Sequence, residues 1–169
     1  MRAPLAALAC ALCACAAFAQ QPEAARLHGA SLAAPAPAAR PVRGAIYAPA
    51  YASVRFGGGK AQLEMSTTLS LHNTSRDTPL VVERVDYYDT HGKLVQSFLK
   101  APGALAPLAT LEAFVPADDS RGGSGANFLI EWSAAGPISK PAVETVMMGS
   151  IGVTSYSFVS PGRDIEPAK

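Results

Sequence analysis

Charge is scarce in this 169-residue sequence: Asp, Glu, Lys and Arg make up 16%, and they nearly cancel to a formal net charge of +1. A nucleic-acid binder needs a basic patch or stripe to neutralise phosphates, so that class is excluded. Coiled coils and long acidic disordered chains are charge-rich, and they are excluded too. Histidine is rarer still: His28, His72 and His91 are the only three, and their positions lack zinc-ligand spacing. The longest apolar run, residues 3–18, falls short of the ~20 residues that span a bilayer. What the sequence has in quantity is apolar residues, at 49%, with 14 Gly and 14 Pro as punctuation. The length suits one domain with an ordinary core.

The apolar N-terminal run follows Arg2 and ends at Ala17-Phe18-Ala19, a small-x-small pattern, before the polar Gln20-Gln21-Pro22-Glu23. A positive start, a short apolar stretch and a small-residue cleavage site together predict a secretory signal peptide over residues 1–19. Cys10, Cys13 and Cys15 all lie inside it. The exported chain then has no thiol nucleophile, no disulfide and no Cys-ligated metal, and its stability rests on apolar burial. A second reading takes Leu12-Cys13-Ala14-Cys15 as a bacterial lipobox, with Cys15 acylated and the protein held at a membrane surface. Localisation is therefore periplasmic or secreted on the first reading and lipid-anchored on the second.

Residues 20–43 are Ala/Pro-rich, as in Ala33-Ala34-Pro35-Ala36-Pro37-Ala38-Ala39-Arg40-Pro41. Proline denies such a segment a helix, and alanine offers little surface to bury. The expectation is a disordered, extended tether, reaching roughly 70 Å at ~3.1 Å per residue.

From Gly44 the apolar period becomes two. Leu63, Met65, Thr67, Leu69 and Leu71 alternate with polar neighbours, the pattern of a half-buried strand. Leu80–Tyr88 follows, with Val81, Val85 and Tyr87 on one face, then the turn Asp89-Thr90-His91-Gly92 and a return over residues 93–99. Further strands are predicted at Thr110–Val115, at 127–133 with Phe128, Ile130 and Trp132 on one face, at 142–148 and at 154–159. Residues 46–54, interrupted by Pro49, read as an edge strand. Eight short strands without an amphipathic helix predict an all-β fold. The expected form is a single antiparallel β-sandwich, immunoglobulin-like, over residues 44–163, with a tail at 164–169. A closed barrel is the competing architecture.

Four stretches carry a resemblance. They are Ile46-Tyr47-Ala48-Pro49-Ala50-Tyr51, residues 85–95 around Asp86-Tyr87-Tyr88-Asp89-Thr90-His91-Gly92, residues 122–132 from Gly122-Gly123-Ser124-Gly125 to Trp132, and Ser157-Phe158-Val159-Ser160-Pro161-Gly162-Arg163. In these the chain resembles a bacterial family known as domain of unknown function 3124, over residues 44–163. The resemblance implies an exported β-rich module. It implies no activity and supplies no catalytic residues.

The most chemically loaded segment is residues 116–125. Asp118, Asp119 and Ser120 are hard oxygen donors of the kind calcium takes, but the regular spacing of a calcium loop is missing. The glycines suit an anion nest, yet no Gly-Lys-Ser/Thr follows, so this is not a P-loop. The bland alternative is a loop with glycines at positive φ and an aspartate capping a turn. Gly122-Gly123-Ser124-Gly125-Ala126 approaches a nucleophile elbow, but a strand follows and no histidine lies beyond His91. Asp86 and Asp89 fall on opposite faces of one strand, which does not make a paired-carboxylate site. Asn73-Thr74-Ser75 fits a glycosylation pattern and is read as a turn. The candidate ligand-binding residues are thus Asp118, Asp119, Ser120, Ser124 and Asn127, with no catalytic residue and no cofactor assigned. The reading that follows is a non-enzymatic cell-envelope module binding a protein or small ligand, at the Pro49 edge or on the loop 122–125. Membrane contact would come only through a lipidated Cys15. The alternative is a cation- or anion-dependent enzyme or ligand site centred on residues 118–125.

Overall fold

Period-two burial lets each segment hide one face, and two such faces must then meet. The computed structural model describes residues 25–167, so residues 1–19 and Cys15 lie outside the described residues. In chain order the strands are β1 (Arg26–Gly29), β2 (Val42–Pro49), β3 (Ser53–Phe56), β4 (Ala61–Glu64), β5 (Ser66–His72), β6 (Leu80–Tyr88), β7 (Leu94–Ser97), β8 (Gly103–Leu105) and β9 (Thr110–Val115). They continue as β10 (Asn127–Ala134), β11 (Ala142–Ile151), β12 (Thr154–Pro161) and β13 (Arg163–Ile165). A short 3-10 segment, Ser120–Gly125, precedes β10.

All pairings are antiparallel. One sheet has the order β1-β9-β5-β11-β12, and the other β13-β2-β10-β6-β7, with β8 also on β6. β3 and β4 form a separate hairpin. The sheets face each other across one core. Leu69, Leu71, Leu111, Val115 and Val143 come from the first sheet, and Ile46, Val85, Tyr87, Phe128, Ile130 and Trp132 from the second. The fold is an open antiparallel β-sandwich, not a barrel. The described residues contain no cysteine, so burial carries the stability, at roughly 1.5–3 kcal/mol for each fully buried large apolar side chain.

Alternation placed the core faces of β10 and β11 correctly: Phe128, Ile130 and Trp132 are buried, as are Val143, Thr145 and Met147. Leu63, Met65, Thr67, Leu69 and Leu71 are all buried as expected, although the strand breaks at Met65 into β4 and β5. In β6 the expectation that Val81 shares a face with Val85 and Tyr87 is corrected. The register with β10 steps from Glu131↔Arg84 to Trp132↔Val82, leaving Glu83 as an extra residue. This bulge resets the alternation, so Leu80 and Val82 join Val85 and Tyr87 in the core.

The edge assignment of residues 46–54 is also corrected. β2 pairs with β10 along its length and with β13 over residues 45–47, and is an interior strand. Pro49 is tolerated because it is the last residue of β2. The segment expected as a tether contributes structure: Arg26–Gly29 pair with Leu111–Phe114 of β9, and Leu27 and Leu32 pack on the core. Arg163 and the first two residues of the expected tail, Asp164 and Ile165, form β13. The chain reaches it by switching sheets at Gly162, where a Cβ would stand 2.7 Å from Ile46 and 3.0 Å from Val143.

Candidate binding site

The turn after β6 and the Gly-rich loop before β10 are built to fit one another. Asp89 Oδ1 accepts the N–H groups of His91 at 2.8 Å and Lys93 at 2.9 Å, and Gly92 takes a φ of 76° to close the turn. These two N–H groups hold the Asp89 carboxyl below its ordinary range, the Lys93 bond first. Thr90, thereby fixed, ties down the loop. Its N–H and its Oγ1 both donate to the Gly122 carbonyl at 3.0 Å, and Oγ1 accepts the Gly125 N–H at 2.9 Å. Gly122 lies against the buried Tyr87 hydroxyl, in the space a Cβ would fill. Burial, with the Asp119 charge adding to it, pushes the Tyr87 phenol up to about 12.

Asp119 is fully engaged by Arg121. Arg121 Nε donates to Oδ1 at 2.7 Å and Nη2 to Oδ2 at 2.6 Å, and this pairing holds the Asp119 carboxyl below its usual range. The Asp119 side chain also accepts the Arg121 backbone N–H, capping the 3-10 segment. Asp118, Ser120 and Ser124 are exposed, and Asn127 is half-buried at the start of β10. No side-chain hydrogen bond joins any two of these five among the described residues. The same residues contain no gathering of three Asp, Glu, His or Cys side chains that could hold a metal. His72 is engaged by Thr110 at 2.9 Å on β5, away from His91 in the β6–β7 turn. The Thr90 bonds pin the loop over Tyr87.

A concavity does form beside it. The Ala50 N–H donates to Ala126 O at 2.8 Å and the Ala52 N–H to Gly123 O at 3.1 Å, which sets Tyr51 next to Gly125. Arg163 pairs in register with Tyr47. The result is a groove of about 370 Å³ lined by Tyr47, Pro49, Tyr51, Gly125, Ala126 and Arg163. Arg40, Arg84 and Arg121 each have a carboxylate partner. The Arg163 side chain has no ion-pair or hydrogen-bond partner among the described residues, so the groove presents two phenol rings and one uncompensated guanidinium. Of the expected site residues, Asn127 lies in register opposite Pro49 and follows Ala126, and Ser124 precedes Gly125.

Three of the four stretches that carry the family resemblance supply every residue of this lining. Comparison with known families gives a match to the model described as "Protein of unknown function (DUF3124)" over residues 43–165. The chain belongs to the DUF3124 family. No curated protein and no solved structure gives a significant match. The DUF3124 region begins within β2 and ends with β13, so it holds the whole groove and leaves β1 outside. Sequence reasoning singled out none of Tyr47, Tyr51 and Arg163 as site residues. Alternation from Ile46 does point Tyr47 outward. Nothing local announces that the chain changes sheets at Gly162 and delivers Arg163 to Tyr47.

Proposed function

We propose that this DUF3124 chain is an exported, non-enzymatic binding module of the bacterial cell envelope, and that its groove takes a ligand bearing a carboxylate or phosphate on an apolar body. The observation that carries the reading is Arg163, a guanidinium without a carboxylate, set beside Tyr47 and Tyr51. Guanidinium binds planar oxyanions by two parallel hydrogen bonds. Tyrosine supplies contact area at low entropic cost, and Tyr and Arg are enriched where recognition energy concentrates. Export is supported by Arg2, the apolar run and Ala17-Phe18-Ala19.

The test uses protein recovered from both the periplasmic and the membrane fractions of expressing cells. Its intact mass distinguishes a chain starting at Gln20 from one acylated at Cys15. Thermal melting is then followed against benzoate, phenyl phosphate and the neutral benzamide. A ligand at 100 times its Kd stabilises the folded state by about 2.7 kcal/mol. Saturable rises in Tm are expected with the two anions, none with benzamide, and none with any probe in Arg163→Ala. A flat response of the unaltered protein to both anions, or equal rises in Arg163→Ala, would remove the groove as the site.

A further inference from the structure

We propose that β12 is a self-association edge, and that two copies of the chain join through it as an antiparallel pair, fusing their five-stranded sheets into one. A sheet edge exposes a row of unpaired N–H and C=O groups, and soluble proteins guard such rows with charge, brevity, proline or bulges. The other edges here follow that rule. β1 has four residues including Arg26, β13 has three including Arg163 and Asp164, and β7 has four with Lys93 before it and Lys100 soon after.

β12 does not. It is eight residues long and pairs with β11 without a register shift, so no bulge turns its edge away. Residues 145–162 contain no Asp, Glu, Lys or Arg. Its side chains are largely exposed, with Tyr156 at 48%, Phe158 at 37% and Val159 at 56%, and Met148 beside them on β11 at 55%. Tyr156 and Phe158 share one face, where Phe158 meets the Tyr51 ring with centroids 5.7 Å apart. Val159 and Met148 share the other.

The occupant that fits is a second copy, because the strand is complementary to itself. Its usable length is bounded by the hairpin turn at Gly152, with φ 58°, and by Pro161, which has no N–H to give. The midpoint of residues 154–160 is Ser157. A two-fold axis there is the closed, isologous arrangement, and it sets Ser157 opposite the partner's Ser157. In that register Tyr156 lies opposite the partner's Phe158 twice over, an aromatic cross-strand pair of the favourable kind. Ser155 then lies opposite the partner's Val159, and Thr154 opposite the partner's Ser160. No like charges meet anywhere along the ladder.

The test is the solution mass of the full chain by sedimentation equilibrium, alone and with two variants at the two-fold position. Ser157 is exposed, so Ser157→Lys and Ser157→Glu should leave the fold unchanged, which circular dichroism and melting check. The unaltered chain is expected to be a dimer at tens of micromolar. Each variant alone is expected to be a monomer, because two like charges then face each other across the axis. An equimolar mixture of the variants is expected to restore a dimer through the Lys–Glu pair. A monomeric unaltered chain at all concentrations up to about a millimolar overturns the proposal, including the case in which the edge serves a foreign peptide. Dimers that persist in the single variants, or variants that stay monomeric when mixed, overturn the β12 register.

Discussion

At Gly122 a side-chain hydrogen faces the Tyr87 hydroxyl, and that oxygen has no hydrogen-bond partner among the described residues. The contact is steric, and the phenol oxygen contributes nothing polar to it. Gly122→Ala should therefore cost about 3 kcal/mol, since a methyl group forced into a packed site displaces backbone or ring. Tyr87→Phe should leave stability unchanged or raise it by up to about 1 kcal/mol, because it removes an unsatisfied buried hydroxyl. Combining the two should recover part of the loss, though not all, as the ring carbon Cζ also stands 2.6 Å from the added Cβ. Urea unfolding of the three variants measures each step. A Tyr87→Phe loss above about 1 kcal/mol would show that the hydroxyl has a partner. The same steric logic operates at Gly44, where a Cβ would come within 2.5 Å of the Trp132 ring. Hydrogen bonding, not packing, makes the glycosylation-like Asn73 a turn residue: its buried amide reaches the carbonyls of Thr78, Leu105 and Ala106, and Oδ1 accepts the Ser75 N–H.

The Gly-rich loop, as an element, hangs on Thr90 from one side and on the Asp119–Arg121 pair from the other. Thr90→Val keeps the shape and deletes the Oγ1 bonds to Gly122 and Gly125. The expected result is a local loss of about 1–3 kcal/mol, read as faster amide exchange at Gly125, with the core strands unchanged. Acid should act on the same loop. Asp119 is held below its unfolded value, so its stabilisation is complete above the ordinary carboxylate range and is lost as pH falls through the depressed value. Asp119→Asn should therefore match the unaltered protein at the lowest pH and lag behind it near neutrality; equal pH profiles would refute the pairing. Most strands of this fold are written locally as alternation, which is why β5, β9, β10 and β11 are legible in the sequence. The exceptions depend on partners distant in sequence. The bulge at Glu83 is fixed by the register with β10, and β1 exists because β9 offers it an edge. The groove divides in the same way: Tyr47 faces outward by alternation, but Arg163 joins it only through the sheet switch at Gly162.

Over the whole molecule, the two chain segments outside the main strand series each bridge the sheets. The C-terminal segment does so by crossing from β12 to β13. The N-terminal segment pairs with β9 as β1, lays Leu32 over Gly103, and exchanges two hydrogen bonds between Ala33 and Ala104 of β8, at 3.0 and 2.8 Å. It thus runs from an edge of one sheet to an edge of the other. The DUF3124 region contains β2 to β13 almost entire and leaves β1 outside, and the strap adds only partly buried side chains to the core. Removing residues 1–33 should give a protein that still melts cooperatively but has lost about 2–4 kcal/mol. That figure reflects the partial burial of Leu27 and Leu32, given that a large apolar side chain contributes roughly 1.5–3 kcal/mol when fully buried. It should also expose β9 as a second open edge, so the truncated chain should aggregate more readily on heating. Denaturant melts and light scattering of the two forms measure both effects. An unchanged midpoint would mean that the strap adds nothing to stability, and loss of a cooperative transition would mean that the sandwich cannot close without it.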